Sequence, residues 1–239
     1  MLVGVIARPY TQWQNDFSNQ GEILKTVGRG ECSIADGVFR SKGSYACFGN
    51  PEWKNYSMSF KARAPKGAEQ VQIWAGFRAY NRFDRYVAGI KGGLQDDVYL
   101  MRTGYMGTDE FMGVRPLGFH PVPGEWYSMK VEVCGNRIRV FVNGEKEPYI
   151  DVVDKNANLV PSGEVTLGGG WIETEFDDLI VTLLPDNYLK NVKAAEYRMA
   201  ATSQQKEAKR RRERANYKAV MVNDIKPDRT EISLDGDWL

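Results

Sequence analysis

The stretch YSMKVEVCGNRIRVFVNGE, residues 127–145, limits the fold of this chain more than any other feature. Apolar and polar residues alternate over 131–133 and again over 138–142, and a Gly-Asn pair at 135–136 separates the two runs. Alternation with a period of two places one face of an extended strand against a core. Gly-Asn, and the Asn-Gly pair at 143–144, are dipeptides typical of tight hairpin turns. The stretch therefore predicts two antiparallel strands joined by a tight turn, with a further turn after them.

Short runs of the same kind recur through residues 1–184, between clusters of turn-forming residues. Strands are predicted at Tyr56–Ala62, Gln70–Ala79, Tyr86–Lys91, Val98–Arg102, Glu164–Leu167 and Phe176–Leu183. Many short strands with almost no helical periodicity predict an all-β fold, an antiparallel β-sandwich of the jelly-roll type.

The composition changes at residue 185. Residues 186–223 contain no Gly or Pro and are rich in Ala, Lys, Arg, Glu and Gln, which predicts a C-terminal helical extension over 185–223. Leu189, Val192, Tyr197 and the alanines of this segment are the residues expected to dock it on the sandwich. The basic run at 206–214 carries charges of both signs and no aromatic residues, and the whole chain has a net charge of +1. A solvated spacer is therefore expected, and no nucleic-acid partner.

The chain also lacks the patterns of a membrane span or a zinc site. No segment reaches the ~20 apolar residues that a membrane span needs. Three separated cysteines and one histidine do not make a zinc site. The opening MLVGVIARPY has no basic region of a signal peptide. We expect a secreted or periplasmic protein whose signal peptide is missing from this sequence, with a cytoplasmic protein as the alternative.

Three segments together resemble one superfamily. Residues 71–104, VQIWAGFRAYNRFDRYVAGIKGGLQDDVYLMRTG, resemble the concanavalin A-like lectin/glucanase superfamily. GEWYSMKVEVCGNRIRVFVNGE at 124–145 and GEVTLGGGWIETEFDDLIV at 163–181 resemble its laminin-G-like closing strands. Over roughly residues 53–182 the chain is most similar to the 3-keto-disaccharide hydrolase domains and to the jelly rolls attached to glycoside hydrolases. The resemblance implies a glycan or oligosaccharide as the partner.

The end of the chain carries a second resemblance. RTEISLDGDWL, residues 229–239, is similar to the first strand of the sugar-binding domain that opens glycoside hydrolase family 2 enzymes. It implies a jelly roll at 1–184, a helical linker at 185–223 and, at 224–239, the start of a further domain with a catalytic domain after it. The alternative is a C-terminal tail that pairs as a strand elsewhere.

The candidate carbohydrate-binding residues follow from strand alternation. If the odd-numbered residues of Gln70–Ala79 face the core, Trp74 and Arg78 project outward together. An indole covers the apolar C–H face of a sugar, and a guanidinium donates hydrogen bonds to its hydroxyl groups. In the superfamily that the chain resembles, glycans often bind on such an outer face. The alternative is that these aromatic residues fill the core. Further candidates on the same surface are Tyr86, Lys91, Tyr99 and Trp171.

The candidate catalytic residues are Glu173, Glu175 and Asp177, spaced i, i+2, i+4. A regular strand projects them to one side with backbone positions roughly 7 Å apart, which permits the paired carboxyl groups of a glycosidase. The order Glu-x-Glu-x-Asp-Asp departs from the Glu-x-Asp-x-x-Glu motif of the laminarinase-type relatives. The alternative is a solvated strand face.

A structural calcium ion is the only cofactor considered. Jelly rolls of the kind this chain resembles sometimes hold one where the first and last strands meet. Asp16 or Asn15 near the N-terminus and Asp177 or Asp178 near the end of the sandwich are the candidate oxygen ligands.

Three functions remain open at this point. The first is an N-terminal carbohydrate-binding or accessory module of a glycoside hydrolase. The second is a catalytic domain of the 3-keto-disaccharide hydrolase type, with one of the three acids as base and Arg78 stabilising negative charge. The third is a structural or protein-interaction domain.

Overall fold

The computed structural model of the protein describes residues 12–19, 25–81, 83–93, 95–104, 109–157, 160–190 and 192. These residues form thirteen strands and no α-helix. The strands are β1 (Gln12–Asn15), β2 (Lys25–Ala35), β3 (Val38–Phe48), β4 (Tyr56–Arg63), β5 (Gln72–Ala79), β6 (Arg85–Lys91), β7 (Asp97–Thr103), β8 (Glu110–Pro116), β9 (Tyr127–Cys134), β10 (Arg137–Val142), β11 (Ile150–Val153), β12 (Glu164–Gly168) and β13 (Thr174–Leu183). The predicted all-β fold is confirmed.

The strands pair in the order β11-β10-β9-β4-β13-β3-β12-β5-β6-β7-β8, with β1 added to β13 and β2 to β3. The pairing is antiparallel throughout the described residues. Strand β13 joins two layers, because residues 174–176 pair with β3 while residues 175–183 pair with β4. We call β11-β10-β9-β4-β13 the first layer and β3-β12-β5-β6-β7-β8 the second layer. The end strands β8 and β11 approach each other and close the sandwich.

The core lies between the layers and is rich in aromatic side chains. Phe39 contacts Phe17, Phe48 and Phe176 at ring-centroid distances of 5.5 to 5.8 Å, and Phe60 extends this cluster from β4. All five rings are at most 4% exposed. Each such ring contributes ~1.5–3 kcal/mol when it is removed from water. The alternation of the strands thus sets which faces meet in the core and which face solvent.

The hairpin read from residues 127–145 is present as β9 and β10. Asn143 and Gly144 both have left-handed backbone angles (φ 53° and 69°), as the Asn-Gly turn requires. The two strands of the long hairpin β2–β3 were not predicted. Strand β2 is mostly exposed, and its burial does not alternate, so its sequence has no period-two signal.

The residues after the sandwich begin with turns. Residues 186–190 are turns where the helical extension was predicted to begin. The expected docking of Leu189 is confirmed, since its side chain is 4% exposed, and Arg137 of β10 donates hydrogen bonds to the carbonyl oxygens of Leu189 and Val192 at 3.1 and 2.6 Å. The rest of the predicted helix, and the glycoside hydrolase-like residues 224–239, lie outside the described residues. No helix among the described residues could span a membrane.

Candidate functional site

The outer side of the second layer carries a row of aromatic side chains. Trp74 of β5 lies opposite Gly89 of β6, which lies opposite Tyr99 of β7, so Trp74 and Tyr99 share one side of the sheet. Their ring centroids are 6.1 Å apart, and Phe111 of β8 lies 6.3 Å beyond Tyr99. We call the side of the second layer that bears Tyr45, Trp74, Arg85, Tyr99 and Phe111 the aromatic face.

Gly89 creates the space in which Tyr99 lies. The Tyr99 side chain passes over Gly89 and its hydroxyl donates to the carbonyl oxygen of Ile73 at 3.3 Å. A Cβ on Gly89 would lie 2.5 Å from the Tyr99 hydroxyl oxygen. Tyr99 is therefore 6% exposed and supports Trp74 from one edge, while Trp74 itself is half-buried.

Arg85 is the charged residue at the centre of the aromatic face. Its side chain leaves β6 and passes over Gly76. A Cβ on Gly76 would lie 3.0 Å from the Arg85 Cδ and 3.3 Å from its Nε. Its guanidinium carbon lies 3.8 Å from the centroid of the Tyr45 ring. Arg85 is 9% exposed, and burial lowers the pKa of its guanidinium. A cation on an aromatic ring in such a site is held firmly but is poorly solvated.

Two polar atoms at this centre are buried without a hydrogen-bond partner. They are Nε of Arg85 and Oγ1 of Thr166 on β12, and Thr166 is 1% exposed. Both atoms lie within 3.3 Å of the position that a Cβ on Gly76 would take, so both border the same space above Gly76. Among the described residues, Nε of Arg139 is the one other buried polar side-chain atom in this condition. A buried donor without a partner costs ~1–3 kcal/mol, so two that border the same space need an explanation.

A second charged group borders the same centre. Glu164 of β12 forms an ion pair with Lys25 of β2, Oε2 to Nζ at 2.6 Å, and its side chain is 14% exposed. Cys47, which lies opposite both Lys25 and Thr166, is close to this pair. Burial, followed by the nearby charge of Glu164, raises the pKa of the Cys47 thiol to about 11. The centre of the aromatic face thus has a cation, a carboxylate, a hydroxyl and a neutral thiol.

The structure brings together three of the six predicted carbohydrate-binding residues. Trp74 and Tyr99 are neighbours on the aromatic face, and Lys91 lies at its end, opposite Gln72 and exposed. Trp171 lies in the loop between β12 and β13, with 76% of its surface exposed, and Gly169 of the same loop borders Trp74.

Arg78 does not share this face, and the expectation that it projects outward beside Trp74 is wrong. Arg78 has a left-handed backbone (φ 46°), which interrupts the alternation of side chains near the end of β5. Its Nε donates to the carbonyl oxygen of Lys54 at 2.8 Å, and its own backbone N–H donates to the hydroxyl of Tyr56 at 2.6 Å. The side chain is 3% exposed and joins the two layers instead.

The expectation that Tyr86 lies on the carbohydrate-binding surface is also wrong, because its side chain faces the core. Its ring stacks on Phe77 at 5.2 Å, and its hydroxyl donates to Asp154 at 2.6 Å. Arg102 donates to both oxygens of Asp154 at 2.8 and 2.7 Å. Burial alone would raise the pKa of Asp154, but the hydrogen bonds from Tyr86, the Asn156 backbone and Arg102 outweigh it, so the pKa is lowered. These groups close one end of the sandwich.

The three candidate acids are not arranged as one strand face. Glu173 precedes β13, which begins at Thr174, so it lies in a loop. Glu175 is 6% exposed and accepts from Arg40 at 2.9 Å and Arg63 at 2.7 Å, one arginine on each oxygen. Burial would raise the pKa of Glu175, but the two arginines outweigh it and the pKa is lowered. The geometry favours a structural role for this carboxylate, held charged between two cations.

The calcium hypothesis correctly assumes that the first and last strands meet, since Asn15 of β1 lies opposite Leu179 of β13. The candidate ligands, however, have local partners. Asp16 accepts from the backbone N–H of Ser18, and Asp178 forms an ion pair with Lys61 at 2.7 Å. Among the described residues there is no group of three or more acidic, His or Cys side chains that could hold a metal. The site remains a prediction.

Sequence reasoning missed Arg85, Thr166, Tyr45 and Phe111. The signal for Arg85 was present: once Gly89 lies opposite Trp74, alternation along β6 puts Arg85 on the same side as Trp74 and Tyr86 on the other. Strand β6 is buried on both faces up to Ile90, so its own sequence does not show which face meets the core.

Comparison with known proteins gives the family of this fold. Residues 8–182 match the model of the 3-keto-alpha-glucoside-1,2-lyase-like domain, which is more than half of the chain. The fold is a concanavalin-like jelly roll. The chain belongs to the 3-keto-alpha-glucoside-1,2-lyase-like domain family, as the resemblance predicted. No curated protein matches the chain.

Solved structures similar to this chain include two with a TM-score above 0.5. A protein of unknown function with a galectin-like fold from Bacillus subtilis has a TM-score of 0.52 and 12% identity, covering 73% of this chain and 98% of its own. A mutant of the GH43 protein BlXynB from Bacillus licheniformis has a TM-score of 0.51 and 10% identity, covering 72% of this chain and 39% of its own. Carbohydrate binding module CBM66 from Bacillus subtilis has a TM-score of 0.48 and 16% identity, covering 67% and 91%. At these identities the similarity concerns the fold alone.

Proposed function

We propose that this domain binds a carbohydrate at the centre of the aromatic face, with Arg85 and Thr166 as hydrogen-bonding groups and Trp74 as the stacking platform. The observation that carries the proposal is the pair of buried polar atoms, Arg85 Nε and Thr166 Oγ1, that border the same space and have no partner in the described part of the chain. Membership in a family of sugar-processing domains supports it.

The chemistry of the three groups suits a sugar. A guanidinium donates to a hydroxyl or carbonyl oxygen, and a threonine hydroxyl both donates and accepts. An indole covers the apolar C–H face of a pyranose ring. Tyr45 supports Arg85 and Tyr99 supports Trp74, so both groups are ordered before a ligand binds. Because Arg85 Nε and Thr166 Oγ1 are buried, a ligand oxygen reaches them only after a shift of the Arg85 side chain.

The test is calorimetric titration of the full chain with neutral disaccharides and their 3-keto derivatives. Thr166→Val removes one hydroxyl at constant shape, and we expect it to weaken binding about tenfold, the effect of ~1.4 kcal/mol. Trp74→Ala is expected to abolish measurable binding. Thr182→Val on β13 and Trp126→Ala in the loop before β9 are the matched controls on other faces, and should bind like wild type.

Equal affinity of Thr166→Val and wild type would refute the role of this centre. If none of the sugars binds, the structural or protein-interaction function, the third hypothesis above, would be the better explanation.

A second candidate function is eliminative cleavage of a 3-keto glycoside. Glu164 favours it, because it lies two residues before Thr166 on β12 and acts, like Arg85, on the nearby Cys47 thiol. A ketone at C3 acidifies the proton at C2. In this reaction a base removes that proton, the enolate oxygen at C3 becomes negative, and the C1–O bond breaks with its electron pair as a C1=C2 double bond forms. Glu164 would be the base and Arg85 would stabilise the enolate. The departing oxygen takes up a proton from water. Glu173, Glu175 and Arg78 are not needed in this scheme.

The decisive variant is Glu164→Gln, which keeps the shape and removes the base. If the domain is a lyase, Glu164→Gln abolishes formation of the C1=C2 product while the 3-keto sugar still binds. A non-catalytic module gives no product with either protein. Product formation by Glu164→Gln at the wild-type rate would remove Glu164 from the mechanism.

We also propose that the domain is an accessory part of a larger carbohydrate-active enzyme. The support is the similarity of RTEISLDGDWL to the opening strand of family 2 sugar-binding domains. The coding sequence downstream of residue 239 tests it directly. A family 2 catalytic barrel there is the expected result, and an unrelated domain or a stop codon would contradict the proposal.

A further inference from the structure

A cleft of about 360 Å³ lies beside the loop that carries Trp171. Three segments form it: the middle of β3 at Lys42, the loop between β4 and β5, and the loop between β12 and β13. Its lining includes Lys42, Pro65, Glu69, Trp171, Ile172 and Glu173. Its volume is at the lower end of the ~300–1,000 Å³ that ligand sites occupy.

The backbone of this loop is held in place on both sides. Gln72 Oε1 accepts hydrogen bonds from the backbone N–H groups of Trp171 and Ile172 at 2.7 and 3.2 Å. Thr174 Oγ1 donates to the carbonyl oxygen of Gln72 at 2.7 Å, and Gly43 N–H donates to the carbonyl oxygen of Gly170 at 2.7 Å. The loop therefore presents Trp171 from a fixed backbone.

Trp171 is the most exposed large apolar side chain of the described residues, at 76%. Most of the indole surface of Trp171 is therefore open to solvent and available to a ligand. A rigid indole at the mouth of a cleft binds a flat apolar surface at low entropic cost. The loop thus has the properties of a stacking platform.

The charged groups of the cleft indicate the chemistry of its ligand. Lys42, Glu69 and Glu173 are exposed, and within the described part of the chain no hydrogen bond or ion pair engages their side chains. One cation and two carboxylates would repel an anion and can donate to and accept from hydroxyl groups. An indole beside such groups matches a neutral ligand with an apolar face and a hydroxyl-bearing edge, which is the chemistry of a pyranose.

We propose that this cleft is a second carbohydrate site, independent of the Arg85 centre, which takes one or two residues of a neutral oligosaccharide stacked on Trp171. The Trp171 site differs from the Arg85 centre in having exposed charged groups on loops, instead of buried groups on strands. It does not depend on the proposed function of the aromatic face, because it shares none of the residues that define that face.

The experiment follows the indole N–H resonances of the six tryptophans in the full chain. Trp171→Phe assigns one resonance and Trp74→Phe another. The probes are neutral tri- to hexasaccharides of α-1,4-, β-1,4- and β-1,3-linked glucose, up to ~10 mM, because a single stacking site has a dissociation constant near 1 mM. We expect the Trp171 resonance to shift saturably with at least one probe, and the shift to persist in Trp74→Ala.

The controls separate the two sites. Glu173→Gln and Glu69→Gln keep the fold of these exposed positions and should weaken the Trp171 shift several-fold, whereas Trp126→Ala should leave it unchanged. Loss of the shift in Trp74→Ala would mean one continuous site and overturn the proposal, as would the absence of any saturable Trp171 shift. A Trp171 shift in a protein whose Arg85 centre binds nothing would sustain this proposal and defeat the proposed function.

Discussion

Replacing Arg85 by Met separates the contribution of Arg85 to stability from its contribution to sugar binding. Methionine keeps the unbranched stem that passes over Gly76 and removes the buried charge. The substitution relieves the orphaned Nε, which is worth ~1–3 kcal/mol, and loses the contact of the guanidinium with Tyr45, worth ~0.5–2 kcal/mol. The two effects nearly cancel. The free energy of unfolding is therefore expected to stay within ~1 kcal/mol of wild type or to rise, while carbohydrate binding is lost.

Arg102→Met is the matched control, because Arg102 is also 8% exposed on a neighbouring strand but is saturated by Asp154 and Glu110. Its loss leaves the Asp154 carboxylate buried without its cation, at a cost of ~3–5 kcal/mol. For a domain of this size that lowers Tm by roughly 10 °C. Urea denaturation and calorimetry of the two variants measure both quantities.

Equal destabilisation by Arg85→Met and Arg102→Met would contradict this expectation. Arg85 would then be a structural residue whose partners satisfy it, and the site would have no unmet hydrogen-bonding capacity. Sugar binding by Arg85→Met at wild-type affinity would contradict it as well.

Three further predictions concern other parts of the account. Gly76→Ala pushes a Cβ into Thr166 Oγ1 and the Arg85 side chain. We therefore expect urea denaturation to show a loss of ~1–3 kcal/mol in stability, together with weakened sugar binding. The control is Gly92→Ala, whose Cβ would lie 3.4 Å from its nearest neighbour and should change neither quantity. Tyr86→Phe removes one hydrogen bond to Asp154 and should lower the free energy of unfolding by ~1 kcal/mol without affecting sugar binding. Weaker sugar binding would mean that Tyr86 belongs to the binding site. The native pKa of Glu175 is lowered below its ordinary 4.5, so the stability it contributes is complete above that value and is lost as pH falls through the native pKa. In thermal melts the Tm difference between wild type and Glu175→Gln should therefore be largest near neutral pH and shrink below pH 4.5, and a constant difference would contradict the assignment.

The sequence predicts the sandwich because many of its strands are buried on one face only. Strand β9 alternates buried apolar residues with partly exposed polar ones over most of its length, and its turn to β10 uses Gly135-Asn136, so element type and register both follow from the residues. The hairpin β2–β3 escapes this reasoning, since β2 is exposed on both sides and is held by its pairing with β3.

The site is less predictable than the fold because it depends on which side of each strand a residue faces and on single backbone angles. The burial of β6 on both faces hides which side Arg85 and Tyr86 take, and the left-handed angle at Arg78 reverses the side expected from alternation. Trp74 and Tyr99, both candidates from the sequence, lie together because β5 and β7 are separated by one strand in which a glycine lies between them. The absence of hydrogen-bond partners for Arg85 Nε and Thr166 Oγ1 among the described residues is a property of three-dimensional packing, which residue spacing does not show.

A crystal structure of the chain with a 3-keto disaccharide is the most direct test of the role of the aromatic face. We predict a pyranose ring against Trp74, with ligand oxygen atoms in hydrogen-bond contact with Arg85 Nε and Thr166 Oγ1. A sugar bound only elsewhere, with Arg85 and Thr166 untouched at saturating ligand, would contradict it.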